Sequence, residues 1–452
     1  MRELELRAEA GLAVAAAVED ALEPGEHAAT FLDRTARRRL VVDAAGRKRL
    51  YIEDGTFGGF VRLGRGGREL YLNAHELAAA GAPALLATGR PLFPAGSPLP
   101  ARERAELHTP VNADGEGWES TDSRLDLAAA APETARLTEA VATGLRPGQT
   151  VQGLQLADVL GESVHSTSGG RRRWSRCYGV ELTAVAADER SGRIASVTRY
   201  AQDLAKLDPA GLGTELALTA AGMGTPSGDE RELLGNEVVF TPGAAAQLLR
   251  AIVSTVLLNP VTRALPLRTA LIDDGLAAGY GAKAFDCEGT PTGRTELITA
   301  AGVQRAVATR KAAVGGDGAE PKLTGHAWWN PLKNFPQLAA NNVHLAPTTA
   351  GGALLAGERL VVVDARTLGV EEFRSGGQLA FRLLAVRAVD GVPQEPLRPM
   401  TVEGEAIDLL AALTEVGETV SYFPGVFSVG GAYLAMNLSR LTSRSRGTDE
   451  LS

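Results

Sequence analysis

Hydrophobic positions recur every second residue in QTVQGLQLADVLGESVHST (149–167), ELTAVAADE (181–189) and GRIASVTRYAQDL (192–204). That period puts successive side chains on opposite faces and predicts strands joined by turns. RRRLVVDA (37–44), RKRLYIEDG (47–55), GGFVRLG (58–64) and RELYLNA (68–74) predict further short strands separated by Gly-containing turns. The Ala- and Leu-rich stretch 9–22 predicts a helix ending near EPGE, and HELAAA (75–80) can start another. DSRLDLAAAAPETARLTEAVATGL predicts helix interrupted near Pro132. In FTPGAAAQLLRAIVSTVLLNP, Thr241 is placed to cap a helix and Pro242 to occupy its first turn. Leu248, Leu249, Ile252, Val253, Val256 and Leu257 then recur at helical spacing and predict one broad buried face. GERLVVVDART, QLAFRLLAVRAVDG and FSVGGAYLAMNLSRL return to strand patterns. This order predicts an α+β protein rather than a repeating βαβ design.

The length of 452 residues exceeds one ordinary core and predicts more than one domain. A stretch poor in apolar residues, 219–233, places the boundary near 225. An N-terminal α/β domain (1–225) precedes a Gly-rich, sheet-rich C-terminal domain (226–452). Residues 89–120, rich in Pro, Gly and charge, predict an exposed loop in the first domain. Lys and Arg total 46 against 54 Asp and Glu, a net charge of -8, which argues against general binding to nucleic acid. The best basic patch, RRRW at 171–174, follows two glycines and reads as a solvated hairpin end. Two cysteines, Cys177 and Cys287, give neither a disulfide framework nor a zinc spacing. With no signal-peptide pattern and no bilayer-length apolar run, the expected compartment is the cytoplasm.

The densest candidate chemistry is DDGLAAGYGAKAFDCEGTPTGRTELI, residues 273–298. Asp273, Asp274, Asp286 and Glu288 could hold a hard cation, and Cys287 could be a nucleophile with His326 or His344 and Asn330. The favoured reading is architectural: the glycines permit turns that the acids cap, while Cys287, flanked by two acids, has an unfavourable setting for a thiolate. His75–Glu76 lacks the second histidine of HExxH. No GxSxG elbow, phosphate loop or strand–GxGxxG–helix pattern occurs.

The same stretch resembles the TldD/PmbA family. The resemblance rests on LIDDG (271–275), FDCEGTP (285–291), TGHAWWN (324–330) and NFPQLAANNVHLAP (334–347). EVVFTPGAAAQLL (237–249) and VGGAYLAMNLSRL (429–441) extend it. It implies a two-domain TldD/PmbA-like fold. In the family, the TldD kind is a zinc metallopeptidase with an HExxxH helix, and a cysteine near the C-terminus is its third protein ligand. Laid onto this chain, HExxxH falls on RAIVST. Arg250 and Thr255 stand for the two histidines and Ala251 for the glutamate, and SYFPGVFS (421–428) contains no cysteine. The resemblance therefore implies the PmbA/TldE kind, a subunit with no metal or catalytic residue of its own. Its partner would be a TldD-like chain carrying the zinc, and the pair would trim flexible peptides. Asp273, Asp274, Asp286, Cys287, Glu288, His326, Asn330 and Asn342 become turn or cavity residues. The alternatives are a metal-free thiol-dependent hydrolase or peptide-modifying enzyme, or a stand-alone peptide-binding protein.

Overall fold

The computed structural model describes residues 7–98, 116–120, 127–130, 132–189, 191–258, 263–309, 323–330, 332–333, 335–349, 354–368 and 378–443. The chain is α+β. Its longer helices are α1 (Ala8–Asp20), α2 (Ala82–Gly89), α3 (Glu133–Thr143), α4 (Pro209–Gly222), α5 (Pro242–Leu258) and α6 (Ala406–Ala411).

The N-terminal strands are β1 (Glu26–Asp43), β2 (Lys48–Asp54), β3 (Gly58–Arg65), β4 (Arg68–Ala74), β5 (Ser97–Pro98) and β6 (Glu116–Glu119). They are followed by β7 (Gln149–Thr167), β8 (Arg172–Asp188) and β9 (Arg193–Ala201). The C-terminal half adds β10 (Glu237–Phe240), β11 (Leu271–Asp274), β12 (Arg294–Ile298), β13 (Ala327–Trp328), β14 (Gln337–Leu338) and β15 (Asn342–Leu345). The remaining strands are β16 (Glu358–Thr367), β17 (Gln378–Val389), β18 (Val392–Pro396), β19 (Met400–Glu405), β20 (Leu413–Val416), β21 (Ser421–Phe423), β22 (Ser428–Gly431), β23 (Leu434–Asn437) and β24 (Thr442–Ser443).

The larger sheet runs β12-β11-β15-β22-β21-β9-β8-β7-β1-β3-β4-β5 and so mixes strands from both halves of the chain. Its two parts meet between β21 and β9, where the register holds a single pair, Tyr422 with Tyr200. The smaller sheet runs β20-β23-β10-β16-β17-β19-β24. Helices α4 and α5 lie between the sheets, each touching strands of both. Position explains their composition. From Leu212 to Gly222 nearly every residue of α4 is buried. In α5, Ala244, Ala245, Ala246 and Ala251 are buried together with Leu248, Ile252 and Val253. The spacing predicts one buried face on α5; the structure encloses it nearly all round, because a second sheet covers the side that helical periodicity leaves polar.

Helix ends show how distant segments are tied. Asp208 caps α4 in the ordinary way, accepting from Gly211 N at 2.9 Å. At the start of α5, Thr241 Oγ1 accepts weakly from Ala244 N at 3.4 Å. A stronger bond comes from α4: Glu215 Oε1 accepts from Gly243 N at 2.7 Å, setting a carboxylate on the positive helix end. Glu215 also pairs with buried Arg199, whose pKa burial lowers to about 10. Likewise α1 has no cap of its own, and Glu162 of β7 accepts from Arg7 N and Ala8 N, at 3.1 Å each.

Several expectations shift. The HELAAA segment does not begin a helix: Leu77 N donates to Phe57 O, and after a short 3-10 turn at Ala79–Gly81 the α-helix starts at Ala82. Strand β1 starts at Glu26, well before the predicted RRRLVVDA. The start of 89–120 forms a 3-10 turn (Arg90–Ala95) and the short strand β5, and its end forms β6, parallel to β8, while residues 99–115 lie outside the described residues. Among the described residues, no helix is long and apolar enough to cross a membrane.

Candidate functional site

A cavity of about 250 Å³ lies on the larger sheet beside the junction of its two parts. Its floor follows from strand register. Across β1, β7 and β8 the pairing aligns Asp33 with Ser163 and Ser175, and the next row on that face aligns Thr35 with Gly161 and Cys177. Period-two alternation therefore turns a row of short polar side chains toward one face. Asp33 Oδ1 accepts from Ser163 Oγ at 2.8 Å. Burial raises the Asp33 pKa, partly offset by that hydroxyl and by the Lys283 charge. Gly179 is required where Tyr200 crosses the strand, because a Cβ there would collide with the phenol. Tyr200 in turn meets Tyr280 edge to face at 5.4 Å.

The acidic, Gly-rich segment forms the other side, tied down by its own carboxylates. Asp273 is fully buried and accepts from Asn341 N at 3.0 Å, Asn341 Nδ2 at 3.0 Å and Asn342 N at 2.7 Å. His326 Nε2 lies 2.9 Å from Asp273 Oδ2, and its Nδ1 lies 2.9 Å from Thr324 Oγ1. Asn342 holds the neighbouring loop: its Nδ2 donates to Asp274 O and Ala277 O, and its Oδ1 accepts from Gly281 N at 2.8 Å. Asp274 Oδ1 accepts from Leu276 N at 3.0 Å, a local turn bond.

Asp286 binds the next turn. Its Oδ1 accepts from Glu288 N and Thr290 N, both at 2.9 Å, while Oδ2 accepts from Ala327 N at 3.0 Å. Burial nevertheless raises its pKa. Gly289 completes the turn with φ of 75°, packed against the His165 ring. Glu288 is buried beside it. Asn330 stands apart at a surface turn, accepting from Leu332 N at 2.9 Å.

The thiols are poorly placed for nucleophilic chemistry. Burial, reinforced by the charges of Asp286 and Glu288, pushes the Cys287 pKa well above its ordinary value. Cys287 packs among Phe31, Phe60, Phe285 and Ala327. His326 is buried with Nδ1 on Thr324 and Nε2 facing the Asp273 carboxylate, and no hydrogen bond among the described residues joins it to the Cys287 thiol as a base would need. Burial also raises the Cys177 pKa, and its thiol lies 3.6 Å from the Tyr200 hydroxyl. His344 stands on β15 against Tyr422, with ring centroids 6.5 Å apart, and burial lowers its pKa.

Helix α5 brings RAIVST against 421–428. Arg250 Nη2 donates to Phe423 O at 3.2 Å and to Pro424 O at 3.0 Å. A Cβ on Gly425 would come within 2.8 Å of its guanidinium. Ala251 and Thr255 are buried in packing. A guanidinium, a methyl and a hydroxyl do not fit a zinc ion, which needs neutral imidazole, thiolate or carboxylate donors. Among the described residues, no group of three or more His, Cys, Asp or Glu side chains is arranged to hold a metal.

Sequence reasoning did not single out Asp33, Ser163, Ser175, Lys283, Tyr200, Tyr280, Trp328 or Trp329 as cavity residues. The available signal was a buried strand carrying polar residues, FLDRT at 31–35, opposite GES at 161–163. It becomes readable only with the register.

Residues 236–439 match the family model described as the PmbA/TldA metallopeptidase C-terminal domain. No curated protein matches the chain by sequence. Solved structures share its fold, three of them as follows. A protein described as a modulator of a DNA gyrase from Thermotoga maritima MSB8 has TM-score 0.68 and 14% identity, over 97% of this chain and 100% of that one. TldE from Thermococcus kodakarensis has TM-score 0.68 and 14% identity, over 93% and 96%. A protein described as a modulator of DNA gyrase from Bacteroides thetaiotaomicron VPI-5482 has TM-score 0.64 and 16% identity, over 95% and 97%. The C-terminal region thus matches the PmbA/TldA metallopeptidase family model, and the chain as a whole has the TldE and modulator-of-gyrase fold.

Proposed function

We propose that this chain is a non-catalytic, TldE/PmbA-like subunit that pairs with a zinc-bearing TldD-like chain to process flexible peptides. The observation that carries this reading is the contact between α5 and residues 423–425. The helix onto which the resemblance lays HExxxH packs against the segment onto which it lays the third ligand, and Arg250 joins them by donating to two backbone carbonyls. A shared fold with TldE supports the same role. Peptide hydrolysis requires an activated nucleophile and stabilisation of the developing oxyanion. In this chain the burial that raises both thiol pKa values, and a His326 turned to Asp273 and Thr324, speak against the thiol-hydrolase alternative.

The test is reconstitution. The purified chain alone should leave an unstructured peptide intact, and addition of a cognate TldD-like chain should give cleavage that a chelator abolishes. Removing the partner's HExxxH glutamate should end that activity, whereas Cys287→Ala here should preserve it at equal amounts of assembled complex. Chelator-resistant turnover by the chain alone, lost in Cys287→Ala with folding retained, would overturn the proposal.

A further inference from the structure

The cavity's polar groups are unevenly satisfied. Asn341 is buried, and both its amide hydrogens are committed, to Asp273 Oδ2 at 3.0 Å and Gly325 O at 3.1 Å. This fixes the orientation of the amide, and among the described residues its Oδ1 has no partner. Ser428 is fully buried and its Oγ is likewise without a partner. Asp33, half-buried, accepts from the Ser163 hydroxyl and the Arg34 backbone amide, and among the described residues it forms no ion pair, the Lys283 charge acting on it only from a distance. All three residues line the same cavity. Buried oxygens left without donors are costly, by about 1–3 kcal/mol each, so native structures rarely keep them without a use.

The walls add a second preference. Trp328, Trp329 and Tyr280 border the cavity, and the Trp329 ring is fixed by donation from Nε1 to Asn73 Oδ1 at 3.2 Å. Aromatic faces and a carboxylate both favour a cation. The volume of about 250 Å³ is below the ~300–1,000 Å³ of ordinary small-molecule sites and suits one long side chain. Lys283, the cavity's own ammonium, is half-buried, and among the described residues its side chain forms no hydrogen bond or ion pair. Its flexible stem lets the charge move toward water when another cation enters.

We propose that this cavity receives a single cationic side chain, lysine or arginine, of a flexible peptide, held by Asp33, Asn341 and Ser428 between aromatic walls. The assignment rests on the peptide-handling role proposed above and names the residue class that role would select.

The experiment titrates the full chain with glycine pentapeptides carrying a central arginine, norleucine or glutamate, following calorimetric heat and tryptophan emission. The arginine peptide should bind at least tenfold more tightly than the norleucine peptide, and the glutamate peptide least. Asp33→Asn should remove the preference, and Lys283→Met, which deletes the competing charge, should enlarge it. The second variant keeps the test decisive if the first fails to fold. Equal binding of all three peptides, a preference for norleucine, or a preference unchanged in both variants would overturn the assignment. The same peptides, offered to the reconstituted complex, separate the two proposals. Partner-dependent cleavage without charge preference sinks only the cavity assignment, whereas absence of cleavage for every peptide sinks the subunit role.

Discussion

Replacing Asp273 by alanine should destabilise the protein sharply while leaving no catalytic signature. The carboxylate accepts from two backbone amides, Asn341 N and Asn342 N, and from the Asn341 side chain, all buried. Each donor stranded without water or a substitute costs about 1–3 kcal/mol. For three donors that is about 3–9 kcal/mol, and partial relaxation of residues 341–342 keeps the sum in the lower half, about 3–6 kcal/mol. Since about 1.4 kcal/mol is a factor of ten, local protection of these amides should fall by about 10²–10⁴. Hydrogen exchange resolved to peptides over 339–345 measures that loss, and urea unfolding followed by fluorescence measures the global part. The Asn variant should lose less, since its amide oxygen can still accept from one neighbour. A loss below about 1 kcal/mol with unchanged exchange would refute the view of Asp273 as an anchor. Normal stability with abolished activity of the assembled complex would make it a catalytic group instead.

Three further outcomes follow from other parts of the molecule. Asp188 is fully buried, and its burial is outweighed by Arg146, Ser191 N and Gln149, which bring its pKa to about 2. Because the folded pKa lies below the unfolded value of 3.8, the stabilisation is present above pH 4 and is lost as pH falls through 2. Asp188→Asn should flatten the acid limb of stability by about 2 kcal/mol in that window, read by denaturant melts at each pH. Gly289→Ala should destabilise by more than 1 kcal/mol, because φ of 75° disfavours a side chain and the new methyl meets the His165 ring; an unchanged melting temperature would contradict this. Both thiols have raised pKa values and are buried, so iodoacetamide at pH 8 should label the native chain at least a hundredfold more slowly than the urea-unfolded chain, and rapid native labelling of Cys287 would restore it as a nucleophile.

Much of the architecture was legible where one physical signal dominated. Thr241–Pro242 marked the start of α5, Pro132 the break before α3, and alternation found β7 and the second half of β8, because each depends on neighbours in sequence. The first half of β1 escaped for the opposite reason. Its residues are covered on both faces, so Phe31 and Leu32 are buried alike and the in–out rhythm disappears. The acids of 273–298 were legible as turn formers through their glycines. Which of them would anchor distant backbone was not, since the Asp273 bonds depend on β11 lying beside β15. The cavity floor needed more still: three strands in register before Asp33, Ser163 and Ser175 become neighbours.

The junction between β9 and β21 has a bearing on how the protein comes into being. A ribosome delivers the floor of the cavity by the end of β9, yet the residues that close it arrive only when Ser428 has been made. During that interval the face carrying Asp33, Ser163 and Ser175 stands against water together with Phe31 and Phe60, whose apolar partners Phe285, Cys287 and Ala327 are made later, so the hydroxyls and the carboxylate interrupt what would otherwise be a continuous apolar patch. With a single registered pair joining the two parts, the nascent N-terminal strands can assemble without waiting for their neighbours, and the late strands add at one edge. Polar residues at this place thus shorten the apolar surface that the unfinished chain leaves open.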